Sequence, residues 1–187
     1  AINSIEHGAS PRWPACGTTR IFAYLKPHYA NFETILSAFT RLQASVIVFA
    51  PGLSRALEKR FVSANIAFSR VPLRMEEVRE QCDIAVCHAG GTVDVMLNAG
   101  KPVVLFPMQM EQTMTCHRVE LAGCGVWVDQ GKSLVEIERV FRKVISSQEM
   151  AENAQAYAER NSMYNQQRSM EIVSETCERL IKASHAP

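Results

Sequence analysis

The sequence predicts an α/β domain: a doubly wound, mostly parallel sheet of six strands, with helices on both faces and a helical C-terminal tail. Short, continuously apolar segments alternate along the chain with segments whose apolar residues recur at helical spacing. Strands buried on both faces are apolar throughout, and alternation of strands with helices is typical of a parallel sheet covered on both sides. Helical spacing from residue 133 onward predicts the tail.

Six apolar segments predict the strands, and turn residues follow the first three. Pro27, the pair Pro51-Gly52 and Pro72 stand where the corresponding strand must end, because proline cannot donate to a strand ladder. The predicted strands cover residues 21–25, 45–50, 66–68, 83–87, 102–107 and 126–128.

Capping residues mark the ends of the predicted helices. Asn31 and Ser54 are candidate N-caps, while Gly100 and Gly123 stand where a left-handed residue ends a helix. Ser133 opens the pattern S-x-x-E, a capping box. The predicted helices cover residues 31–42, 54–62, 75–82, 92–99 and 112–121, followed by helices from 133 to about 182 with a break near Asn161.

Length and charge exclude several classes of protein. The 187 residues suffice for one domain with a sizeable core, and 20 Lys and Arg against 19 Asp and Glu give a net charge of +1. Near-balanced charge offers no basic surface for nucleic acid. No apolar run reaches the ~20 residues of a membrane span, and no basic region followed by an apolar stretch indicates a secretory signal.

The six cysteines have no spacing typical of a metal site. They include no C-x-x-C pair, and a cluster of His88 and His117 with three cysteines fits no usual zinc pattern. We therefore expect free thiols in a reducing, cytoplasmic environment and no bound metal.

Residues 1–19 differ in composition from the rest of the chain. They are rich in Gly, Pro and Ser and follow neither a strand nor a helix period. We interpret residues 1–19 as a linker or surface arm, anchored by Trp13, and residues 20–183 as one domain. Trp127 lies in a predicted strand, and we expect it in the core.

The turn after the fourth predicted strand carries the clearest sign of ligand binding. It has the sequence C-H-A-G-G-T over residues 87–92 and opens a helix. Glycines let a backbone approach a ligand closely, and a helix N-terminus offers unpaired N–H groups to a phosphate. A tight turn whose glycines serve packing alone is the alternative. The dinucleotide-binding, P-loop and G-x-S-x-G patterns are absent.

A longer run of motifs around this turn resembles the nucleotide-sugar-binding C-terminal half of the two-domain (GT-B) glycosyltransferases, in the UDP-glycosyltransferase-like superfamily. The run is C-D-I-A-V-C-H-A-G-G-T over residues 82–92, N-A-G-K-P-V-V over 98–104, P-x-x-x-E-Q over 107–112 and H-R-V-E-x-x-G-x-G over 117–125. The order of strands and helices extends the likeness from about residue 20 to the C-terminal helices. Several motifs in the right order are far more specific than one.

The resemblance implies how a Rossmann-like domain of this kind would hold a diphosphate. His88 and the backbone amides of Gly90, Gly91 and Thr92 would bind its oxygens. Lys26, at the end of the first strand, would approach the phosphates, with a solvated lysine as the alternative.

The resemblance also assigns the remaining parts of a nucleotide sugar. Glu111 and Gln112 would hydrogen-bond the hydroxyl groups of the donor sugar, with an exposed polar turn as the alternative. The backbone at Val71 and Pro72 would face the base.

Two features depart from the family pattern. The family motif H-G-G-x-G-T has one more residue between His and Thr than H-A-G-G-T. The acidic residue three places after that Thr, which holds the ribose in the family, is Val95 here. Asp94 is adjacent but points about 100° away on a helix, so it substitutes only if the helix start shifts.

The resemblance therefore implies a donor-binding domain for a UDP or dTDP sugar. It implies transfer to an acceptor with inversion at the anomeric carbon, without metal or cofactor. We expect the acceptor-binding N-terminal domain, which supplies the general base in this family, to be absent from residues 1–187, and the isolated chain to transfer little sugar. Two alternatives stay open: a nucleotide-sugar 2-epimerase-like domain, and a non-catalytic nucleotide-binding module with a decayed site.

Overall fold

A computed structural model of the protein describes residues 8–162 and 166–184, which contain six strands and eight helices. Strands and helices alternate along the chain up to the last three helices, which follow one another. The strands are β1 (Thr19–Tyr24), β2 (Ala44–Phe49), β3 (Ile66–Ser69), β4 (Ile84–Cys87), β5 (Val103–Leu105) and β6 (Gly125–Trp127). The helices are α1 (Phe32–Phe39), α2 (Arg55–Phe61), α3 (Met75–Gln81), α4 (Thr92–Leu97), α5 (Met110–Leu121), α6 (Leu134–Ser146), α7 (Gln148–Arg160) and α8 (Gln166–Ser184).

The six strands form one sheet in the order β3-β2-β1-β4-β5-β6, and every neighbouring pair is parallel. The predicted doubly wound sheet is confirmed. The strand order reverses between β1 and β4, and ligands of open α/β sheets bind in the crevice beyond the carboxyl ends of the strands at such a point. The topology therefore directs attention to the loops that follow β1 and β4.

Each face of the sheet buries its own apolar core. On one face α1 and α6 meet, with the rings of Phe39 and Phe141 stacked 4.8 Å apart. On the other face α3, α4 and α5 cover a second core that contains Met96. Successive residues of a strand point to opposite faces, so Val46 enters the first core and Ile47 the second. This arrangement is why the strands are apolar at every position.

The predicted N-capping residues form capping bonds at the start of α2 (Ser54) and of α6, but not at the start of α1. Ser133 and Glu136 form the capping box at the start of α6. Asn31 precedes α1 as expected, but its side chain makes no capping bond. Its amide group instead donates to the Lys132 carbonyl and accepts from the Gly131 N–H, both at 2.8 Å. Asn31 thus ties the start of α1 to the turn after β6.

The helical tail has one more break than the sequence predicts. In addition to the end of α7 at Asn161, the chain bends at Ser147, whose hydroxyl group accepts the N–H of Met150 and begins α7. No helix in the described ranges is both long enough and apolar enough to cross a membrane.

The first described residues of the predicted arm pair with the loop after β3. The Ala9 N–H donates to the Pro72 carbonyl at 2.9 Å, and the Arg74 N–H donates to the Ala9 carbonyl at 3.0 Å. The Arg74 guanidinium group also reaches the Gly8 carbonyl and the Ser10 hydroxyl group. This segment is therefore held to the loop by main-chain and side-chain bonds.

The arm continues beside α3 to the start of β1. The Trp13 indole donates to the Gln81 side chain at 2.8 Å, so Trp13 anchors the arm as predicted. The Pro14 carbonyl accepts the hydroxyl group of Ser45 in β2. Residues 1–7 lie outside the described residues, and the division of the chain at residue 20 stays a prediction.

All six cysteines are free thiols. Cys82, Cys87, Cys116 and Cys124 are buried, Cys16 is partly exposed and Cys177 is exposed. Burial raises the pKa of Cys82, Cys87 and Cys116 to about 12. Among the described residues, His, Cys, Asp and Glu side chains form no group of three that could hold a metal ion.

Native protein should therefore expose two reactive thiols to a disulfide reagent. Because the thiolate is the nucleophile, we expect Cys16 and Cys177 to react rapidly at about pH 8, while the four buried thiols react only through unfolding. The absorbance of the thiol released from the reagent measures the number of cysteines that react. The same measurement on denatured protein should give all six cysteines. Rapid reaction of three or more thiols in native protein would contradict this burial.

Candidate functional site

The carboxyl ends of β1, β4 and β5 meet at the side chain of His88, the first residue after β4. Its Nε2 atom accepts the backbone N–H of Lys26 at 2.9 Å, just beyond β1. Its Nδ1 atom lies 2.7 Å from the Phe106 carbonyl oxygen, just beyond β5. A carbonyl can only accept, so Nδ1 carries the proton and the tautomer follows from the two partners. His88 therefore joins three strand ends.

Both ring nitrogens of His88 are engaged in this arrangement, and the neutral form of the ring is favoured. Its side chain is buried, and burial lowers the pKa of the imidazole below its ordinary value of 6.5, with the charges of Lys26 and His28 acting in the same direction. The sequence predicts a direct bond from His88 to a phosphate. In the structure both ring nitrogens bond to main-chain groups instead, so His88 reaches a ligand only if one of these bonds breaks.

The glycine turn that follows His88 is open to solvent on its outer side. Ala89 has a φ of 56°, in the left-handed region that favours glycine, and is buried. Gly90 and Gly91 have no positive φ, and a Cβ atom built on either would meet no other atom within 4 Å. Neither backbone conformation nor packing requires glycine at these two positions. Their common property is unobstructed backbone beside the start of α4.

Lys26 follows β1, and its backbone N–H donates to the ring of His88, the first residue of this turn. Its Nζ donates to the Tyr24 hydroxyl group at 3.1 Å and lies 5.0 Å from the centre of that ring. The Tyr24 ring in turn stacks on Phe49, the last residue of β2. Lys26 is thus a positive charge positioned by an aromatic pair at the β1–β4 crevice, with two N–H groups left to donate.

Glu111 and Gln112 lie in the first turn of α5, beyond β5. Glu111 is exposed. The Gln112 side-chain oxygen accepts the Met108 N–H at 2.7 Å, which leaves its amide nitrogen as a donor. Gln112 therefore shapes the loop between β5 and α5 and can still present a polar group to a ligand.

The predicted base-facing and ribose-facing residues lie on the surface. Val71 is 51% exposed and Pro72 is exposed, in the loop that the arm contacts. Asp94 is exposed on α4, whereas Val95 is partly buried. In the structure α4 begins at Thr92, as the sequence predicts, so the helix start is not shifted. Asp94 therefore keeps its place one residue before the position that is acidic in the family motif.

A cavity of about 440 Å³ opens between the start of α5 and the loop after β6. Sequence reasoning missed it, because its walls come from two separate segments. The lining residues are Pro107, Met108, Gln109, Met110, Thr113, Trp127, Asp129 and Gln130.

The sequence predicts Trp127 in the core, and in the structure it packs against the second core but is only partly buried. It is partly exposed on edge strand β6, lines the cavity and donates its indole N–H to the Glu120 carboxylate at 3.0 Å. Its ring meets His117 edge to face at 5.1 Å. The reason for the difference is position: the edge strand has no further strand beyond it to cover an aromatic side chain.

Tyr29 lies behind the switch point and was also not identified from the sequence. Its ring packs 5.0 Å from His88 and edge-on against Phe106. Its hydroxyl group is buried and has no hydrogen-bond partner within the described part of the chain. Burial, the Asp129 carboxylate and Cys116 together raise the pKa of Tyr29 to about 12. Tyr29 thus carries a buried, neutral hydroxyl group.

The fold is that of the C-terminal, Rossmann-like half of GT-B glycosyltransferases. The spinosyn rhamnosyltransferase SpnG, solved with thymidine diphosphate, superposes with a TM-score of 0.74 over 90% of this chain at 20% identity. The glycosyltransferase VinC, solved with dTDP, gives a TM-score of 0.69 over 81% of this chain at 14% identity.

The sequence places the chain in a particular family. Residues 41–176 match the family model of the glycosyltransferase family 28 C-terminal domain, and the chain belongs to this family. A segment of 77 residues, 40% of this chain, is 35% identical to the NDP-glycosyltransferase YjiC of Bacillus subtilis (strain 168), of which it covers 19%. The chain covers 48% of SpnG and 40% of VinC, so it spans less than half the length of these structures.

Proposed function

We propose that this chain is the donor-binding half of a glycosyltransferase and that it binds a UDP or dTDP sugar. The observation that carries the proposal is the turn at the β1–β4 switch point, where Gly90 and Gly91 leave bare backbone facing open space. A diphosphate can approach such a backbone and accept its N–H groups. Family membership supports a nucleotide sugar as the ligand, and the dTDP and thymidine diphosphate held by VinC and SpnG favour a pyrimidine base.

The order of the loops along the sheet edge suits an extended nucleotide sugar. In the proposed mode, the backbone at Val71 and Pro72 after β3 faces the base, and the turn at residues 88–92 after β4 holds the diphosphate. Glu111 and Gln112 after β5 hold the sugar. In the sheet, β3 lies three strand spacings, or about 14 Å, from β4, and β5 lies next to β4 on the other side. The three loops therefore follow one another in the order base, diphosphate and sugar. Asp94 is the candidate for the ribose, and Lys26 adds positive charge beside the phosphates.

His88 has a positioning role in this proposal. By holding the ends of β1, β4 and β5 together, it fixes the backbone from which the glycine turn starts. A direct bond from Nε2 to a phosphate oxygen would require that the Lys26 N–H be released and the ring be protonated at that atom. The lowered pKa of His88 opposes such protonation.

We further propose that the complete enzyme transfers the sugar with inversion. The acceptor oxygen forms a bond to the anomeric carbon while the bond to the β-phosphate oxygen breaks, and the electron pair leaves with the nucleoside diphosphate. The acceptor proton passes to a general base in the N-terminal, acceptor-binding domain. Backbone N–H groups and Lys26 stabilise the leaving diphosphate without a metal ion. We place the enzyme in the cytoplasm and propose that it needs no other cofactor. The isolated chain then binds nucleotide but transfers little sugar.

Specific observations favour one competing function, a nucleotide-binding module with a decayed site. The turn is one residue shorter than the family pattern, Val95 replaces the ribose-binding acid, and both His88 ring nitrogens are engaged. Titration calorimetry of the chain with UDP, dTDP and GDP separates the two functions. We expect UDP or dTDP to bind; a folded sample that binds none of the three at millimolar concentration would favour the decayed module.

A second titration compares UDP with UDP-glucose in two variants of α5. Glu111→Ala removes an exposed carboxylate, and Gln112→Glu keeps the oxygen that accepts the Met108 N–H but loses the amide donor. We expect both variants to bind UDP like the unmodified chain and to bind UDP-glucose about tenfold more weakly than it does. Equal losses for UDP and UDP-glucose would show that these residues do not contact the sugar.

A further inference from the structure

In the binding mode proposed above, the ribose lies over the ends of β1 and β2. These two strands stand between β3, whose following loop would face the base, and β4, whose following turn would hold the diphosphate. A ribose that joins the base to the diphosphate therefore crosses the carboxyl ends of both. β1 ends at Tyr24 and β2 ends at Phe49.

Tyr24 and Phe49 form an aromatic pair on the face of the sheet that such a ligand would occupy. Their rings are stacked with centres 5.4 Å apart, and both side chains are partly exposed. Both pack against the second core, to which Ala89 in the glycine turn and Leu73 in the loop after β3 also belong. The aromatic pair, the glycine turn and the base-facing loop thus lie on the same face of the sheet.

The Tyr24 hydroxyl group offers a hydrogen-bond donor at this place. Its oxygen accepts a hydrogen bond from Lys26 Nζ at 3.1 Å. A tyrosine hydroxyl group accepts and donates at once, so its proton can go to an oxygen of the ligand while its oxygen holds Lys26. The charged Nζ suits a phosphate, whereas the uncharged hydroxyl group suits a ribose hydroxyl group.

We propose that Tyr24 binds the ribose of the nucleotide. Its hydroxyl group donates to a ribose hydroxyl oxygen, and its ring packs against the apolar face of the ribose. The stacked Phe49 ring holds the Tyr24 ring in this orientation. This inference rests on the proposed function and adds to it a ligand contact from β1, beside that of Asp94 on α4.

Calorimetry with UDP and 2′,3′-dideoxy-UDP tests the proposal, because the second nucleotide lacks both ribose hydroxyl groups. We expect the unmodified chain to bind UDP about tenfold more tightly than the dideoxy nucleotide, and Tyr24→Phe to reduce this preference to about threefold or less, as loss of one hydrogen bond does. Tyr157→Phe is the matched control: Tyr157 lies in α7, packs against the same core and should leave the tenfold preference unchanged. Where dTDP binds more tightly than UDP, dTDP and its 3′-deoxy analogue are the matching pair.

Lys26→Met separates a ribose contact from an effect on the phosphates. Loss of the charge should weaken binding of UDP and of the dideoxy nucleotide alike, by about tenfold, and so leave the preference for UDP unchanged. If Tyr24 acted only by holding Lys26, Tyr24→Phe would also weaken both nucleotides alike, and that result would overturn the inference while the proposed function stands. An unmodified chain that binds UDP and the dideoxy nucleotide equally well would overturn it too. A folded chain that binds no nucleotide would overturn the proposed function together with this inference.

Thermal unfolding checks that each variant is folded. Tyr24→Phe keeps the ring that stacks on Phe49, so we expect its midpoint of unfolding to stay close to that of the unmodified chain.

Discussion

Replacing Gly91 by valine should leave the domain folded and weaken binding of UDP or dTDP by about a hundredfold or more. Gly91 has φ −55° and ψ −18°, a conformation that any residue adopts, and its Cβ position is open. The cost to stability should stay within about 1 kcal/mol, the range of helix propensities. The branched side chain instead occupies the space through which a phosphate would reach the backbone. Calorimetry measures the affinity, and thermal unfolding checks the fold.

Gly125→Ala is the contrasting control for this experiment. A Cβ atom at Gly125, in β6, would collide with the Val103 carbonyl oxygen of the neighbouring strand and crowd the Val119 side chain. We expect Gly125→Ala to lower the free energy of unfolding by about 3 kcal/mol, as forced overpacking does. If a folded Gly91→Val variant binds the nucleotide with unchanged affinity, the glycine turn is not part of the donor site.

Replacing His88 by alanine should lower the free energy of unfolding by about 3 kcal/mol, because two main-chain groups lose their hydrogen-bond partners at once. The Lys26 N–H and the Phe106 carbonyl would lose their partners in a buried setting. His88→Asn is the matched variant, since its amide nitrogen can still donate to Phe106, and we expect it to lose about half as much. Denaturant unfolding measures both. Equal, small losses of less than about 0.5 kcal/mol would contradict the joining role of His88.

The same variant changes how stability depends on pH. The folded pKa of His88 is lowered, so on acidification the unfolded chain takes up this proton first, near pH 6.5. The contribution of His88 is therefore fully present above about pH 6.5 and is lost as the pH falls through the folded pKa. The difference in stability between the unmodified chain and His88→Ala should shrink from about pH 7.5 to about pH 5. A constant difference would show that His88 titrates normally in the fold.

The sequence predicted those features of the fold that depend on local pattern. Six apolar segments correspond to the six strands because burial on both faces requires apolar residues at every position. Ser133 was predictable as a cap because its partner Glu136 is three residues away. Asn31 was not, because its partners Gly131 and Lys132 are a hundred residues along the chain.

The candidate site was predictable as a set of loops but not as a set of contacts. The glycine turn and the α5 start were identified because their motifs are contiguous in sequence. The bonds of His88 to Lys26 and Phe106 arise only when β1, β4 and β5 lie side by side. The cavity is not predictable for the same reason. The sequence predicts Trp127 in the core because residue type alone does not distinguish an edge strand from a central one.

The pairing of the arm with the loop after β3 has a mechanical consequence. Ala9 is bonded on both sides, to Pro72 and to Arg74, and the Arg74 side chain returns to Gly8 and Ser10. Four hydrogen bonds therefore join residues 8–10 to residues 72–74. A displacement of the chain at residue 8 would act through these bonds on the loop that contains Val71 and Pro72. Movement of the arm would thereby widen or narrow the space above Val71 and Pro72, where we propose that the base lies.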